Sequence, residues 1–92
     1  MSKLRELARG RDCQVRLPGC DGGGPSETTI LAHIRMAGIS GLGFKAPDAL
    51  GAHCCAICHS YADTHHDAET QLAFYKGVIR TIDLLIREGH IK

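Results

Sequence analysis

Large aromatic side chains are nearly missing from this chain of 92 residues, which has no tryptophan, two tyrosines and two phenylalanines. A length of this order supports one domain. A domain of that size buries only about 60–68% of the surface its unfolded chain exposes. With so few rings the core is thin, so a metal or disulfide staple is expected to supplement it. Long apolar runs are missing too. No segment reaches the roughly 18 apolar residues that a membrane span requires. Met1 to Gly10 also lacks the apolar run of about 7–15 residues found in a secretory signal. The expected location is cytoplasmic, with no membrane contact, and in that compartment thiols stay reduced. The formal charge is close to balance, at +1, which neither points to nucleic acid nor excludes it, because the distribution of charge matters more than its sum. There are no internal repeats and no low-complexity tracts.

The charge that is present is unevenly placed. Lys3, Arg5, Arg9, Arg11 and Arg16 stand against Glu6 and Asp12 near the start of the chain, Arg35 and Lys45 follow, and most acids come later. A basic face of this kind suits a phosphate backbone, although a solvated helix face has the same composition.

Cysteine is the other conspicuous residue. There are five, an odd number that fits disulfides poorly, and three fall in the stretch Cys54-Cys55-Ala56-Ile57-Cys58-His59. Cys55 and Cys58 have the CxxC spacing that lets two thiolates reach one ion. Cys13 and Cys20, bracketing a strand-like segment and a Pro18-Gly19 turn, form a second and wider pair. Structural zinc takes four such ligands in a tetrahedron. Cys13, Cys20, Cys55 and Cys58 are therefore the expected zinc ligands, with Cys54 left as a buried thiol. A redox reading of CxxC requires a larger βαβ context, and buried cysteine acting only as a small hydrophobe leaves the paired spacings unexplained.

Periodicity predicts the elements. Ser2 to Arg9 reads as a helix capped by Ser2 and stopped by Gly10. Cys13 to Leu17 alternates like a strand, and Thr28 to Ile34 is apolar and β-branched, as strands are. Asp21 to Ser26 and Gly38 to Gly43 read as loops, and Lys45 to Leu50 as a single helical turn. A short helix is expected over Cys55 to Asp63. A long one is expected over about 68–88, where Leu72, Tyr75, Val78, Ile79, Ile82, Leu85 and Ile86 recur at helical spacing. That stripe reads as core. His33 closes a strand between apolar neighbours, a place where histidine is by default a core residue. His65 and His66 read as surface residues, and neither His53 nor His90 acquires a role.

The order of these pieces is informative. A strand ending in Ala32-His33-Ile34, a glycine-bearing loop, Pro47-Asp48 and then CxxCH resembles the HNH, or ββα-metal, nucleases. ARGRDCQVRLPGC, LAHIR, Lys45-Ala46-Pro47-Asp48 and CAICHSYAD together are most similar to the small YbcO-like prophage nuclease family, related to the phage Ref nuclease. The resemblance runs from about Leu4 to Asp63, with a weaker helical tail.

It implies an α+β fold: a small zinc-stapled ββα-metal (HNH-like) domain spanning 1–92, with a core at about 11–66, flanking helices and a long C-terminal packing helix. The implied activity is metal-dependent DNA endonuclease chemistry. His33 would be the general base, the side chain type whose charge changes near neutral pH. His59 would bind a catalytic Mg2+ or Mn2+ (Zn2+ being a further option), with Asp63 as a second ligand one helical turn on. Asp48 would orient His33 or approach the metal, and Arg16 and Arg35 would hold phosphates. The implied partners are DNA, single- or double-stranded, and a phage recombination protein; no pattern assigns an oligomeric state. One departure stands out. Many HNH enzymes carry a metal-binding Asp immediately before the strand histidine, whereas this chain has Ala32. The missing ligand is then expected from Asp48, Asp63, His65 or His66. The competing reading is a non-catalytic zinc module that binds nucleic acid or a recombination partner, which would need the four cysteines but have no use for His33.

Overall fold

Apolar residues after Thr29 form strand β1, Ile30–His33, which pairs antiparallel with β2, Gly51–Cys54. The computed structural model describes residues 3–17, 19–20, 28–34 and 48–91. In it the two strands make one sheet with the register Ile30↔Cys54, Leu31↔His53, Ala32↔Ala52 and His33↔Gly51. Helix α1, Lys3–Ala8, precedes the sheet. A 3-10 turn, Asp48–Leu50, leads directly into β2. Helices α2, Ala56–Thr64, and α3, Ala68–Arg87, follow it. The described residues are thus a small α+β arrangement. None of their helices is long and apolar enough to cross a membrane.

Two sequence expectations need correction, and one strand went unread. Cys13 to Leu17 is not a strand. Gln14 donates its N–H to the His53 carbonyl at 2.8 Å. The chain then turns at Arg16, whose φ of 60° lies in the left-handed region and stops extended pairing. β2 carries no strand signal at all, since Gly51-Ala52-His53-Cys54 has no β-branched residue. All four of its residues are buried, so no polar-apolar alternation develops either. Finally, the apolar stripe of α3 is not all core. Val78 and Leu85 are buried, whereas Leu72, Ile79 and Ile86 are 54%, 66% and 50% exposed. The reason is geometric: α3 meets the sheet along one narrow face, and its apolar residues extend well beyond the arc that the sheet covers. The other helices lie within one or two residues of their expected bounds, and Gly10 ends the first turn region at a φ of 72°. Ser2, Pro18, Arg35, the loops Asp21 to Ser26 and Gly38 to Gly43, and Lys45 to Pro47 lie outside the described residues.

The core joins the loop to the sheet and to α3. Cys13, Val15, Leu17, Ala32, Ala52, Cys54, Cys55, Cys58 and Val78 form one buried cluster, flanked by Phe74, Tyr61 and Ile82. The loop bearing Val15 presses close against α3. A Cβ on Gly77 would stand 2.8 Å from Val15 Cγ2, 3.0 Å from Val15 Cα and 3.2 Å from the Gln14 carbonyl. Thr81, one turn on, donates to the Gly77 carbonyl and accepts the His53 N–H. Arg80 donates to the Gln14 carbonyl at 2.8 Å. The far end of α3 is tied to the N-terminal segment by a two-pronged Arg11–Glu88 ion pair at 2.8 and 2.7 Å. The guanidinium holds the Glu88 carboxyl below the usual carboxylate range.

Gly77→Ala should be destabilising, although alanine is the better helix former. Two of the three contacts a methyl would make are to backbone atoms, so the loop itself would have to move. Overpacking of this kind costs about 2 kcal/mol, which in a domain of this size lowers the melting temperature by about 10 °C. Thermal denaturation followed by circular dichroism would measure it. An unchanged or raised midpoint would show that the loop does not press on α3.

Candidate metal centre and histidine–aspartate pair

Four sulfurs converge where the loop, the turn after it and the start of α2 meet. The Sγ atoms of Cys13, Cys20, Cys55 and Cys58 all lie within 4.8 Å of one another. This is the one such grouping of three or more ligating side chains among the described residues. Local structure supplies each sulfur. Cys20 is returned by a tight turn in which its N–H reaches the Leu17 carbonyl at 3.0 Å, with Gly19 at a φ of 81°. Cys55 is the N-cap of α2, and its sulfur accepts the Cys58 N–H at 3.4 Å. The Cys58 sulfur accepts the Leu17 N–H at 3.3 Å. Backbone N–H groups aimed at sulfur favour the thiolate, as does a helix N-terminus.

The thiols of the cluster are pushed in opposite directions. The Cys54 thiol beside Cys13, followed by the N–H groups of Arg16, Cys55 and Val15, draws the Cys13 thiol down to about 3 against the opposing effect of burial. Burial acts the other way on Cys58, raising it. Cys54, hydrogen-bonded to Cys13 and buried, is raised as well. Cys54 lies beside the cluster and is not among the four sulfurs that converge. Four converging sulfurs, of which those of Cys13, Cys55 and Cys58 accept backbone N–H groups, fit a metal ion such as zinc.

The second feature is at the rim of the sheet. His33 Nε2 lies 2.6 Å from Asp48 Oδ1, and both side chains are less than one-fifth exposed. The strand register makes this possible: His33 sits opposite Gly51, and the 3-10 turn bearing Asp48 is the segment that feeds β2. The Ile34 N–H reaches the Leu50 carbonyl at 2.8 Å and holds the two segments together. Arg5 of α1 brings its Nε to the same Oδ1 at 3.2 Å. Arg5 is a site residue the sequence did not mark, because it stands 43 residues from Asp48 and no local pattern links them.

The other expected site residues are less assembled. His59 and Asp63 both lie on α2, four residues apart, with His59 half-buried and Asp63 exposed. Arg16 is exposed, while its backbone N–H serves the Cys13 sulfur. Ala32 packs in the core cluster, so the position before His33 points away from the histidine, as neighbours in a strand must. His65 does not turn toward His59. Its ring stacks on Tyr61 at 3.8 Å and 4°, and its Nδ1 lies 3.1 Å from the Tyr61 carbonyl. His53 is fully buried, and neither ring nitrogen has a hydrogen-bond partner among the described residues. Burial, followed by the nearby Arg11 charge, pushes its pKa down to about 4, so it is a neutral core residue at pH 7. Of the five basic side chains near the start of the chain, Arg5 and Arg11 are engaged in ion pairs.

A hairpin and helix joined at a four-sulfur cluster, with a paired histidine and aspartate on the strand, is the class of architecture this chain presents. The family model described as "Putative nuclease YbcO" matches residues 2–90, and the chain belongs to that family. It is 41% identical over 99 aligned residues to "Putative nuclease YbcO" of Escherichia coli (strain K12), covering 100% of this chain and 99% of that one. The same figures hold for "Putative nuclease ybcO" of Enterobacteria phage 82. A solved structure, described as "Structure of a putative bacteriophage protein from Escherichia coli str. K-12 substr. MG1655", superposes with a TM-score of 0.72 at 37% identity. The match covers 95% of this chain and all of that one.

Replacing Cys55 or Cys58 by alanine should abolish tight zinc binding and the helical circular-dichroism signal together. Structural zinc contributes roughly 10–16 kcal/mol in small sites, as much as a whole domain's stability of about 5–15 kcal/mol. Cys54→Ala should keep stoichiometric zinc and lose only about 1–2 kcal/mol. Zinc content by elemental analysis, beside the spectra, checks both. Folded, zinc-free Cys58→Ala protein would sink the staple.

Proposed function

We propose that this chain is a metal-dependent endonuclease acting on DNA, with the HNH type of chemistry and a structural zinc on Cys13, Cys20, Cys55 and Cys58. The observation that carries the reading is the 2.6 Å contact between His33 Nε2 and Asp48 Oδ1, beside a four-sulfur cluster of zinc-binding composition. The names of its relatives, which describe nucleases, support hydrolysis of nucleic acid. Asp48 accepts a hydrogen bond from the Nε2–H and so selects the tautomer in which Nδ1 can take a proton. His33 then removes a proton from water at Nδ1 as that water attacks phosphorus in line. Arg5 contacts the same Asp48 oxygen through its Nε and limits the rotation of the carboxylate. His59 and Asp63 would hold a divalent ion, Mg2+ or Mn2+, and that ion would supply charge neutralisation at the phosphate and the leaving oxygen. The exposed Arg16 and, on the sequence pattern, Arg35 hold neighbouring phosphates. Prophage origin, cytoplasmic location and a recombination protein as partner belong to this same reading.

Two substitutions test it on zinc-replete protein supplied with Mg2+ or Mn2+ and with single- and double-stranded DNA. His33→Ala should reduce cleavage by about 10^2–10^4-fold at equal zinc content and equal melting temperature. Asp48→Asn should reduce it less, because an amide can still bond the ring but no longer enforces the tautomer. Full cleavage by His33→Ala would remove the base. Absence of cleavage by zinc-replete wild type on every substrate would instead favour a non-catalytic zinc module.

A further inference from the structure

Helix α3 has two apolar faces. Thr70, Gly77, Val78, Thr81 and Leu85 are its buried residues and face the interior. At about 100° per residue, a second row of apolar side chains lies roughly 130° around the helix from that face. It comprises Leu72, Tyr75, Ile79, Ile82 and Ile86, with spacings of three, four, three and four residues. That is the a/d seam of a coiled coil, held across more than two heptads. Ile79, at its centre, is 66% exposed, with Leu72 and Ile86 at 54% and 50%, while Tyr75 and Ile82 are half-buried and Ile82 also borders the chain's own core, at the edge between the two faces. An exposed apolar row this regular marks an interface.

We infer that α3 pairs antiparallel with α3 of a second copy of this chain, through a seam of Leu72, Tyr75, Ile79, Ile82 and Ile86. The charges beside the seam select both the occupant and the direction. Lys76 and Asp83 hold equivalent flanking positions, one heptad apart. A two-fold axis between Ile79 and Ile82 sets Ile79 against the partner's Ile82 and Tyr75 against the partner's Ile86. The same axis brings Lys76 toward the partner's Asp83, and the pairing occurs twice by symmetry. A parallel pair would place Lys76 beside the partner's Gln71 and Asp83 beside the partner's Val78, with no charge matched. Asp83 is 58% exposed, and its in-helix pair with Arg87 leaves it on the surface. Each helix is already anchored to its own sheet, so pairing does not have to order it first. A seam too short to hold isolated peptides together is sufficient on such a support. The inference rests on the fold and holds whether or not the chain cleaves DNA.

Sedimentation velocity on the zinc-loaded full chain tests it. Wild type should sediment at twice the mass of one chain. Ile79→Glu should sediment at the mass of one chain with an unchanged helical spectrum, as its exposure allows. Ile86→Glu, set against the partner's Tyr75, is a second variant read in the same way. Asp83→Lys should raise the dissociation constant about tenfold, and adding Lys76→Glu should restore it. A wild type that stays monomeric to about 100 μM would overturn the proposal. So would a dimer indifferent to both seam variants. A charge reversal that fails to rescue would overturn the antiparallel pairing.

Discussion

The arrangement depends on bringing four cysteine sulfurs within 4.8 Å of one another. Two unit charges about 4 Å apart cost about 4 kcal/mol at the effective dielectric near a protein surface. Four thiolates held at such distances would repel one another, and the set is one that could hold a metal ion such as zinc. The cluster draws together three segments of the chain. The loop at Cys13 and the turn at Cys20 are attached through it to the N-cap of α2. In a chain with four aromatic residues, hydrophobic burial alone offers a thin alternative.

The strand pair is the second constraint, and the cluster orients it. β2 runs straight into Cys55, so the sulfurs position the end of the strand, and the register then places His33 opposite Gly51. The turn that starts β2 carries Asp48 to His33, and α1 contributes Arg5 to the same oxygen. The histidine–aspartate pair is thus a consequence of where β2 begins. Gly77 allows the loop to lie against α3, and α3 in turn bonds the backbone of β2 through Thr81. Loop, sheet and helix hold one another through main-chain contacts, where a side chain of ordinary size would not fit.

Much of this was legible from residue order. The CxxC spacing and the second, wider cysteine pair pointed to the four sulfurs that the fold brings together, because cysteine in paired positions is a distinctive local signal. Helix bounds were readable to within one or two residues, since apolar periodicity and glycine at Gly10 and Gly89 are local signals. His33 and Asp48 were named through the resemblance of the ordered motifs, not through periodicity. β2 was not legible, because a fully buried strand of small residues has no alternation. The strand expected at Cys13 to Leu17 was a false signal: its alternation is real, but Arg16 turns the backbone and the segment packs as a loop.

What the sequence determined by itself is the chemistry available: four paired cysteines, a strand histidine, an acid at Asp48, and a long amphipathic helix. Only the tertiary structure decided how these were divided. It set Cys54 beside the sulfur cluster and outside it, made His53 a buried neutral residue, and engaged His65 in a stack with Tyr61. It also divided one apolar stripe on α3 into a buried face and an exposed one. The physical reason is the same in each case. Residue type and spacing fix what a side chain can do and which face of its own element it occupies. Which of those faces meets another element depends on contacts between residues far apart in the chain.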